Sequence, residues 1–188
     1  MDESLALFLR AWSPSVEEED TWSTPWGDLH LRVASYVSDE LPPPGYITSV
    51  RAVIVQRDTV LVVRDPVRKH ILPGGRREVS ESLLQTLERE VAEETGWTLT
   101  LVMLLGFKHF HHLSPKPADY PFPYPDFLQA IYAARPETYD PAARERNGYE
   151  LEAQFRPIVE VQHMRLTQGE QVYLCLAATG LADRQTEG

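Results

Sequence analysis

The chain has 188 residues, 43% of them apolar, and a formal net charge of −10. That is enough apolar material for the core of one domain with an appendage, and too acidic for non-specific contact with nucleic acid or an anionic membrane. Its single cysteine, Cys175, excludes an intramolecular disulfide and a thiolate zinc cluster. No apolar run nears the roughly 20 residues of a membrane span, and Asp2 and Glu3 stand where a secretory leader carries positive charge, so a reducing cytoplasm is the expected compartment.

Residues 4–12 predict a short amphipathic helix with Leu5, Phe8, Leu9 and Trp12 on one side. Residues 13–24, with the acidic run Glu17-Glu18-Glu19-Asp20, read as an exposed connection. Leu29, Leu31 and Val33 alternate with polar residues as in a strand, and Leu41-Pro42-Pro43-Pro44-Gly45 breaks regular structure. This places an N-terminal extension at 1–45 and the main domain at 46–188. Residues 50–56 and 60–64 predict a hairpin about Arg57-Asp58, and Ile71-Leu72 close a short strand before Pro73-Gly74-Gly75. A helix is expected over 82–95. Ser82 and Gln85 form its capping box, Leu84, Leu87 and Val91 its buried stripe, and Gly96 its C′ residue. Strands are expected at 98–110 and 127–134, separated by an aromatic and Pro-rich loop at 114–126. A polar loop at 139–152, a helical turn at 158–163 and a final helix at 169–181 complete an α/β fold, an α/β/α sandwich with a mixed sheet between helices.

Glu90, Glu93 and Glu94 fall three and four residues apart on the predicted helix, so their carboxylates share one surface. Like charges at that spacing repel, and a hard dication such as Mg²⁺ or Mn²⁺ removes the repulsion. The run from Gly75 to Trp97 resembles the Nudix box: Gly, five residues, Glu, seven residues, Arg-Glu, an aliphatic residue, any residue, Glu-Glu, any residue, Gly and a bulky apolar residue. Gly75, Glu81, Arg89, Glu90, Val91, Glu93, Glu94 and Gly96 match it; Trp97 stands where an aliphatic side chain is more usual. The resemblance implies the Nudix sandwich and Mg²⁺-dependent hydrolysis of a nucleoside diphosphate linked to another group. It implies Glu90, Glu93 and Glu94 as metal ligands, with the backbone carbonyl of Gly74. Arg89 orients Glu90 or Glu93, and Glu81 acts either behind the ligands or in water activation. The general base is Glu93 or a later loop glutamate, Glu150 or Glu152.

Five basic residues, Arg64, Arg68, Lys69, Arg76 and Arg77, surround the entrance to this run. Arg64, Arg68, Arg76 and Arg77 are candidates for pyrophosphate contacts. His109 and His111 share one strand face. A transition-metal site there needs further ligands, and the only thiol is distant, so with His112 they read as half-exposed strand residues or pocket lining. Trp22, Trp26, Tyr120, Phe122 and Tyr124 either stack on a base or cover core. Two other readings compete: an isopentenyl-diphosphate isomerase-like enzyme, which needs an active-site cysteine, and a non-catalytic Nudix-fold sensor, in which box glutamates are typically lost. The expected partner is a small nucleotide-type substrate, with no nucleic acid and no membrane. A homodimer through the strand near 29–37 and the apolar N-terminal stretch is a further expectation.

Overall fold

The computed structural model describes residues 3–145 and 148–183. Asp2, in the N-terminal reading, and Arg146 and Asn147, in the expected polar loop, lie outside the described residues. In chain order the elements are α1 Glu3–Arg10, β1 Val16–Thr24, β2 Gly27–Val37, a 3-10 turn at Pro44–Tyr46, β3 Ile47–Gln56, β4 Thr59–Arg64, β5 Lys69–His70, α2 Leu83–Thr95, β6 Trp97–His112, β7 Asp126–Tyr139, β8 Glu152–Pro157, α3 Ile158–Val161 and α4 Gln168–Asp183. The sheet runs β1-β2-β6-β7-β3-β4-β5, with β8 on β4. It is mixed because β3 pairs parallel with β7 while the other pairs are antiparallel.

Alternation along β3 assigns the two faces. Ala52 and Ile54 meet Leu87 and Val91 of α2, whereas Val53 and Val55 meet Tyr173, Leu174, Ala177 and Leu181 of α4. Helices therefore cover both faces, as the sandwich expectation requires. α1 shares the α2 face, since Leu128 and Ala130 are two apart on β7; Leu5 packs there with Phe107 and Leu128, and Phe8, Leu9 and Trp12 close over them. On the α4 side, the loop between β6 and β7 brings Tyr120 and Phe122 onto Leu29, Leu31, Phe110 and Phe127.

Four expectations need correction. Residues 16–24 form a strand, not a connection: each of them pairs with β2, from Val16↔Ser35 to Thr24↔Gly27. Cross-strand pairing outweighs the poor strand propensity of Glu and Asp, and Glu19 faces Arg32 across the ladder. Leu84 is exposed; the stripe is Leu83, Leu87 and Val91, because the helix starts one residue after its cap Ser82. The strand before Pro73 ends at His70, before Ile71. Finally, β2 bonds to β1 and β6 along its two edges, so the strand expected to pair across a dimer is satisfied within one chain.

Candidate active site

Gly74 and Gly75 run beside β3, through Ala52 N–H to Pro73 O and Val50 N–H to Gly75 O. Gly74 has φ +129°, and a Cβ there would strike the Val50 carbonyl; a Cβ at Gly75 would overlap the Glu90 carboxylate. Gly74 excludes larger residues so that the turn can close on β3, and the bare Cα of Gly75 leaves the space that the Glu90 carboxylate occupies. The Gly74 amide donates to Glu94 Oε2 at 2.8 Å. α2 is fixed by its capping box and by Gly96 in the left-handed region, which sets the rotation that aims Glu90 and Glu94 inward.

Arg89 orders the carboxylates. It grips Glu81 with two hydrogen bonds, at 2.7 and 3.0 Å. Its Nη1 donates to Glu90 Oε1 at 2.9 Å and Glu93 Oε2 at 3.1 Å, and Nη2 reaches the Arg76 carbonyl. Glu81 also accepts from the Thr86 hydroxyl and the Glu78 amide. These bonds, Arg89's first, hold Glu81 at about 2 despite some desolvation. Glu90 is raised by burial, against Arg89. Glu94 is pushed up to about 8 by burial; Arg51 and the Gly74 amide oppose the rise, and Glu150 and Glu90 add to it. Two inward carboxylates are thus under-compensated by the protein's own cations. Such a donor set fits a hard dication.

The structure brings together Gly74, Glu81, Arg89, Glu90, Glu93 and Glu94. Glu150 joins them through Arg144, which donates to the carbonyls of Glu94 and Glu150. Arg76 and Arg77 line a cavity of about 390 Å³ with Thr48 and Phe122, and the Arg76 guanidinium lies 3.8 Å over the Phe122 ring. Arg64 and Arg68 are engaged by other carboxylates: Arg64 by Glu152 at 3.0 Å and Arg68 by buried Glu170 at 2.9 Å. Glu152 is held low by Arg64. Trp22, Trp26 and Tyr120 cover core, and Tyr124 lies against the His112 ring.

Sequence reasoning missed Arg51, whose guanidinium donates to the Leu72 carbonyl at 3.2 Å and stands 3.8 Å from Glu94 Oε1. An arginine between apolar residues of a predicted strand was the available signal. His109 and His112 are buried rather than half-exposed, while His109 and His111 do line a pocket, and Asp126 supplies the third metal-capable side chain beside them.

The family model of the NUDIX domain matches residues 45–176. No curated protein matches. Among solved structures, a NUDIX hydrolase from Nitrosomonas europaea is 26% identical, with TM-score 0.53, over 72% of this chain and 90% of that one. A Bacillus subtilis pyrophosphohydrolase is similar at 15% identity and TM-score 0.52, over 89% and 94%. The NUDIX domain of NrtR from Shewanella oneidensis, solved with ADP ribose, is similar at 20% identity and TM-score 0.51, over 72% and 88%.

Proposed function

We propose a substrate class and a division of labour for a chain that belongs to the Nudix hydrolase family. Its reaction is hydrolysis of an acid anhydride in a phosphorus-containing compound. The anhydride is the pyrophosphate of a nucleotide or nucleotide derivative, a nucleoside diphosphate linked to another group. The observation that carries this reading is the pair Glu90 and Glu94, both raised by burial and facing a glycine turn in which Gly74 has no room for a side chain.

Glu90, Glu93 and Glu94, with the Gly74 carbonyl, would hold Mg²⁺ or Mn²⁺. When bound, the ion neutralises phosphate charge and makes water a better nucleophile. Arg89 positions the three glutamates, and Glu81 anchors Arg89: a carboxylate held at about 2 is a poor proton acceptor at neutral pH. Proton acceptance falls to Glu93 or Glu150. Arg76 and Arg77 bind phosphate oxygens left outside the ion's reach, and Phe122, under Arg76, offers a ring to the nucleotide. The solved Shewanella relative with ADP ribose supports a nucleotide-type ligand for this fold.

Isomerase chemistry on a related fold needs a thiol at the site; Cys175 is exposed on α4, and α4 packs on the sheet face opposite α2. The sensor reading fits poorly with a complete carboxylate set. The test is phosphate release from a panel of nucleoside diphosphate derivatives in Mg²⁺. Wild type should cleave at least one, and Glu94→Gln should be slower by at least about a hundredfold. Full activity in Glu94→Gln would sink the ligand assignment.

A further inference from the structure

A second group of metal-capable side chains lies apart from the α2 carboxylates, on the sheet face under α1. His109 and His111 are two apart on β6 and project from the same side. The ladder places Asp126 directly opposite His111. His109 Nε2 and His111 Nδ1 each stand 2.8 Å from the same atom, Asp126 Oδ1. One donor atom from each residue lies within 4.8 Å of the others. Two imidazole nitrogens thus converge on one carboxylate oxygen, with His109 and Asp126 buried and His111 partly exposed.

Zinc sits about 2.0–2.2 Å from nitrogen and oxygen ligands, which puts neighbouring ligands about 3.3–3.6 Å apart at a tetrahedral angle. The observed 2.8 Å separations from Asp126 Oδ1 reach that geometry by an opening of about 0.5–0.8 Å, and the two nitrogens lie within 4.8 Å of each other. Either ring nitrogen of a histidine can ligate, so the use of Nε2 by one and Nδ1 by the other is no obstacle. The histidines line a cavity of about 370 Å³ between α1 and the sheet, with Leu9, Arg10, Glu17 and Arg32. That volume admits several waters. The unfilled positions on an ion would face it, and Arg10 and Arg32 would favour an anionic oxygen there.

We propose that His109, His111 and Asp126 form a second metal site, for a transition-metal dication of the zinc class. Imidazole donors separate it chemically from the α2 site: Mg²⁺ takes oxygen ligands and keeps its waters, while zinc accepts nitrogen. Three protein ligands with an open position let the ion also carry water or a small anion.

The experiment uses the whole chain, stripped with chelator and held in millimolar Mg²⁺ to fill the α2 site. Zn²⁺ is titrated calorimetrically, and Co²⁺ by visible absorption. The expected result is one Zn²⁺ per chain, with the strong Co²⁺ bands of a four- or five-coordinate ion bearing nitrogen ligands. His111→Gln, at a partly exposed position, should weaken Zn²⁺ by at least about tenfold. Glu94→Gln should leave Zn²⁺ binding unchanged while slowing hydrolysis by at least about a hundredfold, so the two sites fail separately. Absence of Zn²⁺ uptake by wild type, loss of uptake in Glu94→Gln, or unchanged affinity in a folded His111→Gln overturns the proposal. So does a Co²⁺ spectrum of a six-coordinate oxygen site, a reading that needs no variant.

Discussion

Arg89 shows why one side chain cannot be exchanged for another of equal charge. Its guanidinium serves Glu81, Glu90 and Glu93 at once, and a lysine ammonium cannot grip Glu81 with two parallel bonds while reaching the others. Arg89→Lys should keep the fold and lower kcat by about tenfold to a hundredfold, with KM moving less; steady-state kinetics beside a thermal melt checks both parts. His70 works in a different register. It is buried, its Nδ1 accepts from the Leu72 amide, and Asp65 lies 3.7 Å from Nε2. Burial first, then Arg51 and Arg68, lower it to about 4 from an ordinary 6.5. The fold thus prefers the neutral ring. The contribution of this ring to stability is unaffected above pH 6.5, falls as pH drops toward 4 while the unfolded chain takes up the proton, and levels off below. The loss should approach about 3 kcal/mol. Urea denaturation across that window should show it as a difference between wild type and His70→Gln that shrinks as pH falls from 6.5 to 4.

At the scale of elements, α2 is the part whose integrity the site needs most. Ser82→Ala removes the hydroxyl that accepts from the Gln85 amide and should cost about 0.5–2 kcal/mol by denaturant unfolding, and hydrolysis should slow with it, because the cap helps set the rotation of Glu90 and Glu94. This helix was legible in the chain itself: its cap, its glycine terminus and its carboxylate spacing are all local. β1 was not, because an acidic segment becomes a strand only when β2 offers a ladder, and that partner's register is a tertiary fact. The same reasoning divides the proposed site residues. Glu81, Arg89, Glu90, Glu93 and Glu94 lie within fourteen residues and could be read together. Arg51 meets Glu94 only because β3 runs beside the glycine turn, and Asp126 meets His109 and His111 only through the pairing of β6 with β7. The spacing gave the shared face of the two histidines but not the carboxylate that joins them.

The whole molecule is a single mixed sheet with helices on both faces and its two ends unlike one another. At one end, β4 holds β5 and β8, and Arg144 donates to the carbonyls of both Glu94 and Glu150. At the other, the N-terminal hairpin extends the sheet past β6, and no helix among the described residues is long and apolar enough to cross a membrane. That hairpin finishes with β1, whose outer edge has no partner strand among the described residues. An open edge is a template on which a second molecule can add its own strand, and repeated addition makes fibrils. Glu17, Glu18, Glu19 and Asp20 put charge on both faces of that edge, so two such edges approaching side by side repel before they can bond. The protection is electrostatic and therefore has a range. It should extend over roughly 30 Å at 0.01 M salt and shrink to about 3 Å at 1 M. Concentrated protein should scatter little light in dilute buffer and associate as salt rises. A chain with Glu18 and Asp20 changed to Asn should associate already at low salt, binding amyloid dyes as it does, while the unsubstituted chain in the same buffer stays dispersed. The acidic run that looks idle beside the catalytic chemistry would then guard the open edge of β1 against strand addition.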